Sequence, residues 1–215
     1  MNTLYIIWNV SPEIFHIGDI AIRWYGLLFA LAFLFGYLIM AKFFKAEKLP
    51  SGLLDTLATY MFLGTVIGAR LGHCLFYEPA SYLSNPIDIL KIWEGGLASH
   101  GGAIGILIAL YLFSRNHKKP YLWLLDRIVI LVALAGFFIR TGNLMNSEIY
   151  GHTTNLPWAF VFVRDDLLPR HPTQIYEALA CLIIFLFLYI LFIKKGKKLN
   201  MGVISALFLI LLFSV

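Results

Sequence analysis

Charge is what this chain has least of. Of its 215 residues only 13% are Asp, Glu, Lys or Arg, while 60% are hydrophobic and the mean hydropathy is +0.80. Soluble domains hold roughly 45–50% apolar residues, so a water-soluble globule with an ordinary polar surface is excluded. Cysteine is nearly absent. Cys74 and Cys181 both fall inside apolar stretches, where they read as small buried hydrophobes and imply no disulfide. Acidic residues number 12 against 17 Lys and Arg, a formal charge of +5. That surplus sits in short clusters between apolar runs, which suits anionic lipid headgroups and not a nucleic-acid groove. No metal site is expected: no histidine pair has the close helical spacing of a zinc site, and no cysteine accompanies the His100 or His171 segments. The basic, short-apolar, small-residue pattern of a cleaved signal is missing too. Glu13 and Asp19 precede the first long apolar run, so that run is expected to stay in the mature protein.

Long apolar stretches are what is there. A spanning helix needs about 20 mostly apolar residues, and such stretches run near Ile20–Phe44, Leu53–Tyr77, His100–Phe113, Leu122–Ile139 and Pro172–Ile193. A sixth begins near Met201 and meets the end of the chain at Val215. Lys42, Lys45 and Lys48 follow the first stretch, Arg115, Lys118 and Lys119 the third, and Lys194, Lys195, Lys197 and Lys198 the fifth. Basic loops face the cytoplasm, so the amino terminus and the loops around 78–99 and 146–170 are expected on the outer side. The third stretch is short and glycine-rich, which suits a helix held among other helices. The fold expected is all-α and polytopic, with about six apolar spans, the last incomplete, in one integral membrane domain over residues 1–215. A small extracytoplasmic cap with short strands is expected in the loop 151–169, and Trp93, Tyr150 and Trp158 are expected in the aromatic belts.

Three polar motifs converge on the outer face in this topology. Gly95 to Gly102 opens the third stretch, Arg140 to Gly151 closes the fourth, and Arg170 to Glu177 opens the fifth; Tyr25 lies near the same side. Polar groups at membrane depth are costly and mark function by default. Arg140 is a permanent cation whose planar fork matches phosphate oxygens. Asn143, Asn146 and Glu148 suit a glycerol-like headgroup or the task of orienting that guanidinium. His100 and His171 are the histidines of this cluster, and imidazole moves protons near neutral pH. The motifs therefore describe a site for a phosphorylated lipid headgroup with a proton acceptor alongside. Structural roles stand beside these. Arg70 and His73 read equally as partners of Asp55 or Glu177 and as substrate contacts. Asp126 and Arg127 read as structural, and His16, His117 and His152 as solvated. His171 is divided between ordering the helix start at Pro172 and lining the site.

These residues resemble the prolipoprotein diacylglyceryl transferase family. Arg140, Gly142, Asn143, Asn146, Glu148 and Gly151 follow the order of its signature, and the segments 100–102, 170–177 and 23–26 resemble its other motifs. The resemblance implies transfer of the diacylglyceryl group of phosphatidylglycerol to the lipobox cysteine thiol in the signal peptide of a prolipoprotein. The products are a thioether and glycerol 1-phosphate, and no cofactor takes part. It implies His100 and Arg140 as catalytic residues. Tyr25, Gly101, Gly102, Asn143, Asn146, Glu148, Gly151, His171 and Glu177 are then substrate-binding. It also implies a multi-pass protein of the bacterial inner membrane with its site toward the outer face. The family has seven spans, so the chain is expected to be truncated at its carboxyl end. The alternatives are an inactive lipid-binding fragment and a small-anion transporter.

Overall fold

A computed structural model describes residues 5–18, 20–92 and 96–215; Asp19, Trp93 and Gly95 lie outside the described residues. The chain is mostly helical. Two compact units divide it, one of Met1–Ile39 with Asp126–Val215, the other Met40–Leu125. Strands β1 (Ile6–Trp8), β2 (Glu13–Ile17) and β3 (Ile20–Arg23) precede α1 (Trp24–Ala46), and α2 (Ser51–Phe76), the short α3 (Pro79–Ser84) and a 3-10 turn (Pro86–Leu90) lead to α4 (Ser99–His117). Then come α5 (Tyr121–Asn146), β4 (Phe160–Phe162), β5 (Pro169–Arg170), α6 (Thr173–Lys195), a second 3-10 turn (Gly196–Lys198) and α7 (Val203–Leu212).

Four helices among the described residues, α1, α2, α5 and α6, are long and apolar enough to cross a membrane, which makes this a multi-pass membrane protein. Helix α4 is long enough at 19 residues, but its glycines, His100 and Arg115 dilute its apolar character. Helix α7 has 10 residues. Basic residues end several helices, Lys45 in α1, Arg115 in α4, and Lys194 and Lys195 in α6, where they also complement the negative end of the helix dipole.

Two boundaries differ from the sequence reading. Ile20–Arg23 is strand, paired antiparallel with Glu13–Ile17, because its alternating Ile-Ala-Ile pattern suits a pleated edge better than the start of a helix. Helix α5 runs on to Asn146, so Arg140 and Asn143 stand on a helix, three residues apart and on one face. The 151–169 loop carries short strands as expected: β4 pairs antiparallel with β5. Unforeseen was the third strand, β1, which pairs parallel with β4. A small core of Leu144, Phe160 and Phe162, with Trp8, Tyr150 and Ile175 against it, underlies this sheet. The Trp8 indole N–H donates to the Leu144 carbonyl at 3.0 Å, tying β1 to the end of α5.

The other unit is built on a glycine seam. Gly64, Gly68 and Gly72 recur every fourth residue on α2 and meet Gly101, Gly105 and Ala109 of α4. A methyl group on Gly101 would sit 2.7 Å from the Gly72 Cα, and one on Gly105 would sit 2.9 Å from the Gly68 Cα. Only glycine lets the two backbones come this close, and in lipid such close packing is what holds helices together. An apolar groove of about 520 Å³ runs along the seam between Thr59 and Phe76.

Candidate active site

The carboxyl end of α5 and the first turns of α6 carry a connected polar network. The Arg140 Nε lies 2.5 Å from Glu177 Oε2. Its Nη1 points at Asn143 Oδ1 at 3.5 Å. Asn143 donates through Nδ2 to Glu148 Oε1 at 2.7 Å, and Asn146 donates to the same oxygen at 3.2 Å. Both edges of the guanidinium are thus fixed by groups on two helices. Its Nη2 has no hydrogen-bond partner among the described residues, which leaves one terminal nitrogen of the fork open to an anionic oxygen.

The backbone explains why Glu148 returns to the helix it follows. The Ser147 N–H donates to the Leu144 carbonyl at 3.1 Å, and the Glu148 N–H to the Asn143 carbonyl at 3.0 Å. This Schellman closure turns the chain back on α5, with Ser147 in the left-handed conformation at φ 57°. From α6, Gln174 and Glu177 share one face: Gln174 Nε2 donates to the Glu148 carbonyl at 2.7 Å, while Glu177 takes Arg140. Tyr25 lies against Gly142, whose missing side chain makes the room; a methyl there would stand 2.8 Å from the Tyr25 ring.

His171 is tied to the same region through backbone and ring. The Gly151 N–H donates to its carbonyl at 2.9 Å, its Nδ1 lies 3.4 Å from the Tyr176 hydroxyl, and Trp158 Nε1 donates to that hydroxyl at 2.9 Å. Next to it, Arg170 pairs with Asp166 and lies over the Tyr150 ring at 4.8 Å. The hydrogen bond from Arg170 holds the Asp166 carboxyl below the usual carboxylate range.

Tyr25, Arg140, Asn143, Asn146, Glu148, Gly151, His171 and Glu177 therefore belong to one unit, while His100, Gly101 and Gly102 belong to the other. His100 stands exposed in the first turn of α4, flanked by the rings of Phe76 at 5.3 Å and Tyr77 at 5.8 Å. Gly101 and Gly102 are both buried; the smallness of Gly101 already serves its packing on α2, while a methyl on Gly102 would meet only ordinary contacts at 3.6 Å or more. Arg70 is taken up structurally: buried, it donates to the carbonyls of Ile89 at 2.9 Å, Asp88 at 2.5 Å and Gly96 at 3.3 Å, with its guanidinium over Tyr82. Asp126 caps α7, accepting from the N–H groups of Gly202 at 2.7 Å and Ser205 at 2.9 Å and from the Ser205 hydroxyl at 2.7 Å. Sequence reasoning missed Gln174 and Trp8. Gln174 stood inside a quoted motif, three residues before Glu177, and that helical spacing was the signal that it shares the face of α6 that carries Glu177.

The chain that carries this network has known relatives. The family model described as prolipoprotein diacylglyceryl transferase matches residues 12–215. The chain belongs to the prolipoprotein diacylglyceryl transferase family. Proteins named phosphatidylglycerol–prolipoprotein diacylglyceryl transferase resemble it along nearly its whole length. One from Tolumonas auensis is 53% identical over 210 residues, 97% of this chain and 81% of the relative. One from Chloroherpeton thalassium is 52% identical over 205 residues, 93% and 76% of the two chains. One from Bacteroides fragilis is 42% identical over 228 residues, covering 100% and 82%. Membership of a diacylglyceryl transferase family makes the chain an enzyme, and neither the lipid-binding fragment nor the small-anion transporter finds support.

Proposed function

We propose that this chain transfers the diacylglyceryl group of phosphatidylglycerol to the lipobox cysteine of a prolipoprotein, the first step of bacterial lipoprotein maturation. The observation that carries the reading is the Arg140 network, held at both edges with one terminal nitrogen open, within a chain matched by the family from residue 12 to its last residue. The substrate sulfur attacks the glyceryl carbon that bears the phosphate. A C–S bond forms, the C–O bond breaks with its electron pair passing to the phosphate oxygen, and glycerol 1-phosphate leaves. Arg140 binds the phosphodiester and stabilises the charge that grows on the departing phosphate. Asn143, Asn146 and Glu148 hold the headgroup and the guanidinium, with Tyr25, Gly151, His171 and Glu177 around them and Gly101 and Gly102 at the start of α4.

The thiol proton needs an acceptor, because a free cysteine has a pKa of about 8.5. His100 takes that role in this reading, with no hydrogen bond holding its ring among the described residues. The protein then lies in the inner membrane with its amino terminus and the reaction on the outer side and the lysine-rich loops in the cytoplasm. The test combines membranes containing this chain, headgroup-intact phosphatidylglycerol labelled in its acyl chains, and a lipobox peptide. Label is expected on the Cys peptide and not on its Cys→Ser counterpart; no label on either refutes the reading. In the same assay His100→Gln loses about 10²–10⁴-fold in rate if His100 is the base, and less than about tenfold if it only donates a hydrogen bond.

A further inference from the structure

The turn that carries Glu148 is held in a conformation its residues resist. Ser147 at φ 57° and Ile149 at φ 55° both lie in the left-handed region, where Cβ crowds the backbone and a β-branched residue is worst placed. Ile149 is exposed, so burial of its side chain does not hold it there. Beside it, Ser147 Oγ and Gln174 Oε1 are buried with no hydrogen-bond partner, which folded proteins seldom tolerate. Unfavourable features gathered in one turn persist only where the surroundings over-determine the geometry.

The first turn of α6 supplies that constraint. Gln174 is fully buried, and its Nε2 fastens the Glu148 carbonyl at 2.7 Å while Thr173 Oγ1 donates to the Ile149 carbonyl at 3.1 Å. With its backbone pinned on this side, Glu148 presents its carboxylate to Asn143 and Asn146. We infer that Gln174 is a positioning residue of the transfer reaction: its amide locks the strained 147–149 turn so that Glu148 aligns both carboxamides and, through Asn143, the Arg140 guanidinium. This rests on the transferase reading above and adds to it a residue that touches no reacting atom.

Glycine reaches positive φ without a Cβ penalty, so a turn with glycine at both strained positions no longer depends on the clamp. Rates of labelled-lipid transfer are compared for Gln174→Leu, for the double variant Ser147→Gly with Ile149→Gly, and for all three changes together, with Tm read on each purified protein. The single variant is expected to lose about tenfold or more in kcat with KM for the peptide changed by less than about twofold, and the double variant to stay within about twofold of the parent. The triple variant should recover about fivefold or more of the single variant's loss, a coupling that independent sites do not show. Additive losses in the triple variant, or parental kcat in Gln174→Leu, overturn the inference. Where Gln174→Leu does not insert, Gln174→Asn replaces it, since an amide one methylene shorter leaves the Glu148 carbonyl out of reach; the same loss and the same rescue are required. A parent chain that labels no peptide sinks the transferase reading instead, so the two failures are told apart.

Discussion

The α2–α4 seam and the α5–α6 junction both bring helices close through glycine, and they use the closeness for different ends. In the seam, Gly64, Gly68 and Gly72 face Gly101 and Gly105, so backbone meets backbone and the flanking side chains are apolar. On α5 a methyl on Gly136 would stand 2.8 Å from the Cys181 sulfur of α6, and one on Gly142 equally close to the Tyr25 ring of α1. Beside these contacts stand a guanidinium, two carboxamides and two carboxylates. Glycine at membrane depth therefore does not by itself mark a ligand. The mark is a polar network that leaves a charged donor open, since an ionisable group within the membrane is retained only for a task or a partner.

The largest effect is expected at the junction. Arg140→Lys keeps the charge but loses the fork that reaches Glu177 on one edge and Asn143 on the other, and the two residues are not interchangeable at such a site. Transfer should fall about 10²–10³-fold, the range seen when one well-aimed donor is removed, while gel filtration in detergent shows a folded protein. Turnover at the parental rate would remove the phosphate clamp and leave Arg140 as a structural helix-end residue.

The seam is expected to fail in stability and not in chemistry. Gly105→Ala and Gly101→Ala each place a methyl against backbone of α2, and each should cost about 1–3 kcal/mol as an overpacked contact, read as a lowered Tm. Transfer per folded molecule should be unchanged in Gly105→Ala. Gly101 was also read as touching substrate, so the pair sharpens the contrast: a further rate loss confined to Gly101→Ala would give that glycine a role in the site beyond the seam.

How much of this was legible follows from the same contrast. Apolar length is a one-dimensional property, so α1, α2, α5 and α6 could be read directly, and the thinness of the apolar signal in α4 was visible in its glycines. The identities of Arg140, Asn143, Asn146, Glu148 and Glu177 were legible as a family pattern. Their connections were not. That α5 continues to Asn146 depends on a Schellman closure with serine where glycine is usual, and no propensity announces it. The pairing of β1 with β4 joins residues about 150 apart, which no local pattern encodes. Arg70 was divided between a structural and a substrate role, and the fold resolves the division: its guanidinium is consumed by the carbonyls of Asp88, Ile89 and Gly96, whereas Arg140 keeps a nitrogen open.

A smaller effect is expected where a carboxylate serves structure alone. Asp126 accepts two N–H groups and a hydroxyl at the start of α7, the work of a helix cap supplied from another helix. Asp126→Ala should cost about 1–2 kcal/mol, as loss of a cap does, with faster proteolysis of the segment after Lys198 and transfer per folded molecule unchanged. Parental stability would show that water replaces the carboxylate at no cost.

The smallest effect lies close to the site and outside its chemistry. Asp166 and Arg170 pair across the loop that leads into β5, and the bond from Arg170 holds the Asp166 carboxyl below its ordinary value. A carboxyl whose value is lowered by folding stabilises in full above the unfolded carboxylate value, and that contribution is lost as pH falls through the folded value. The pair is only partly buried at the surface, so salt still screens it and its share stays small. Asp166→Asn should therefore leave Tm nearly unchanged near neutral pH and flatten its fall below about pH 4, most visibly at low ionic strength. A variant that instead lost transfer at neutral pH while keeping its Tm would move this loop into the site and blur the line between the polar groups that act and those that only hold the chain in place.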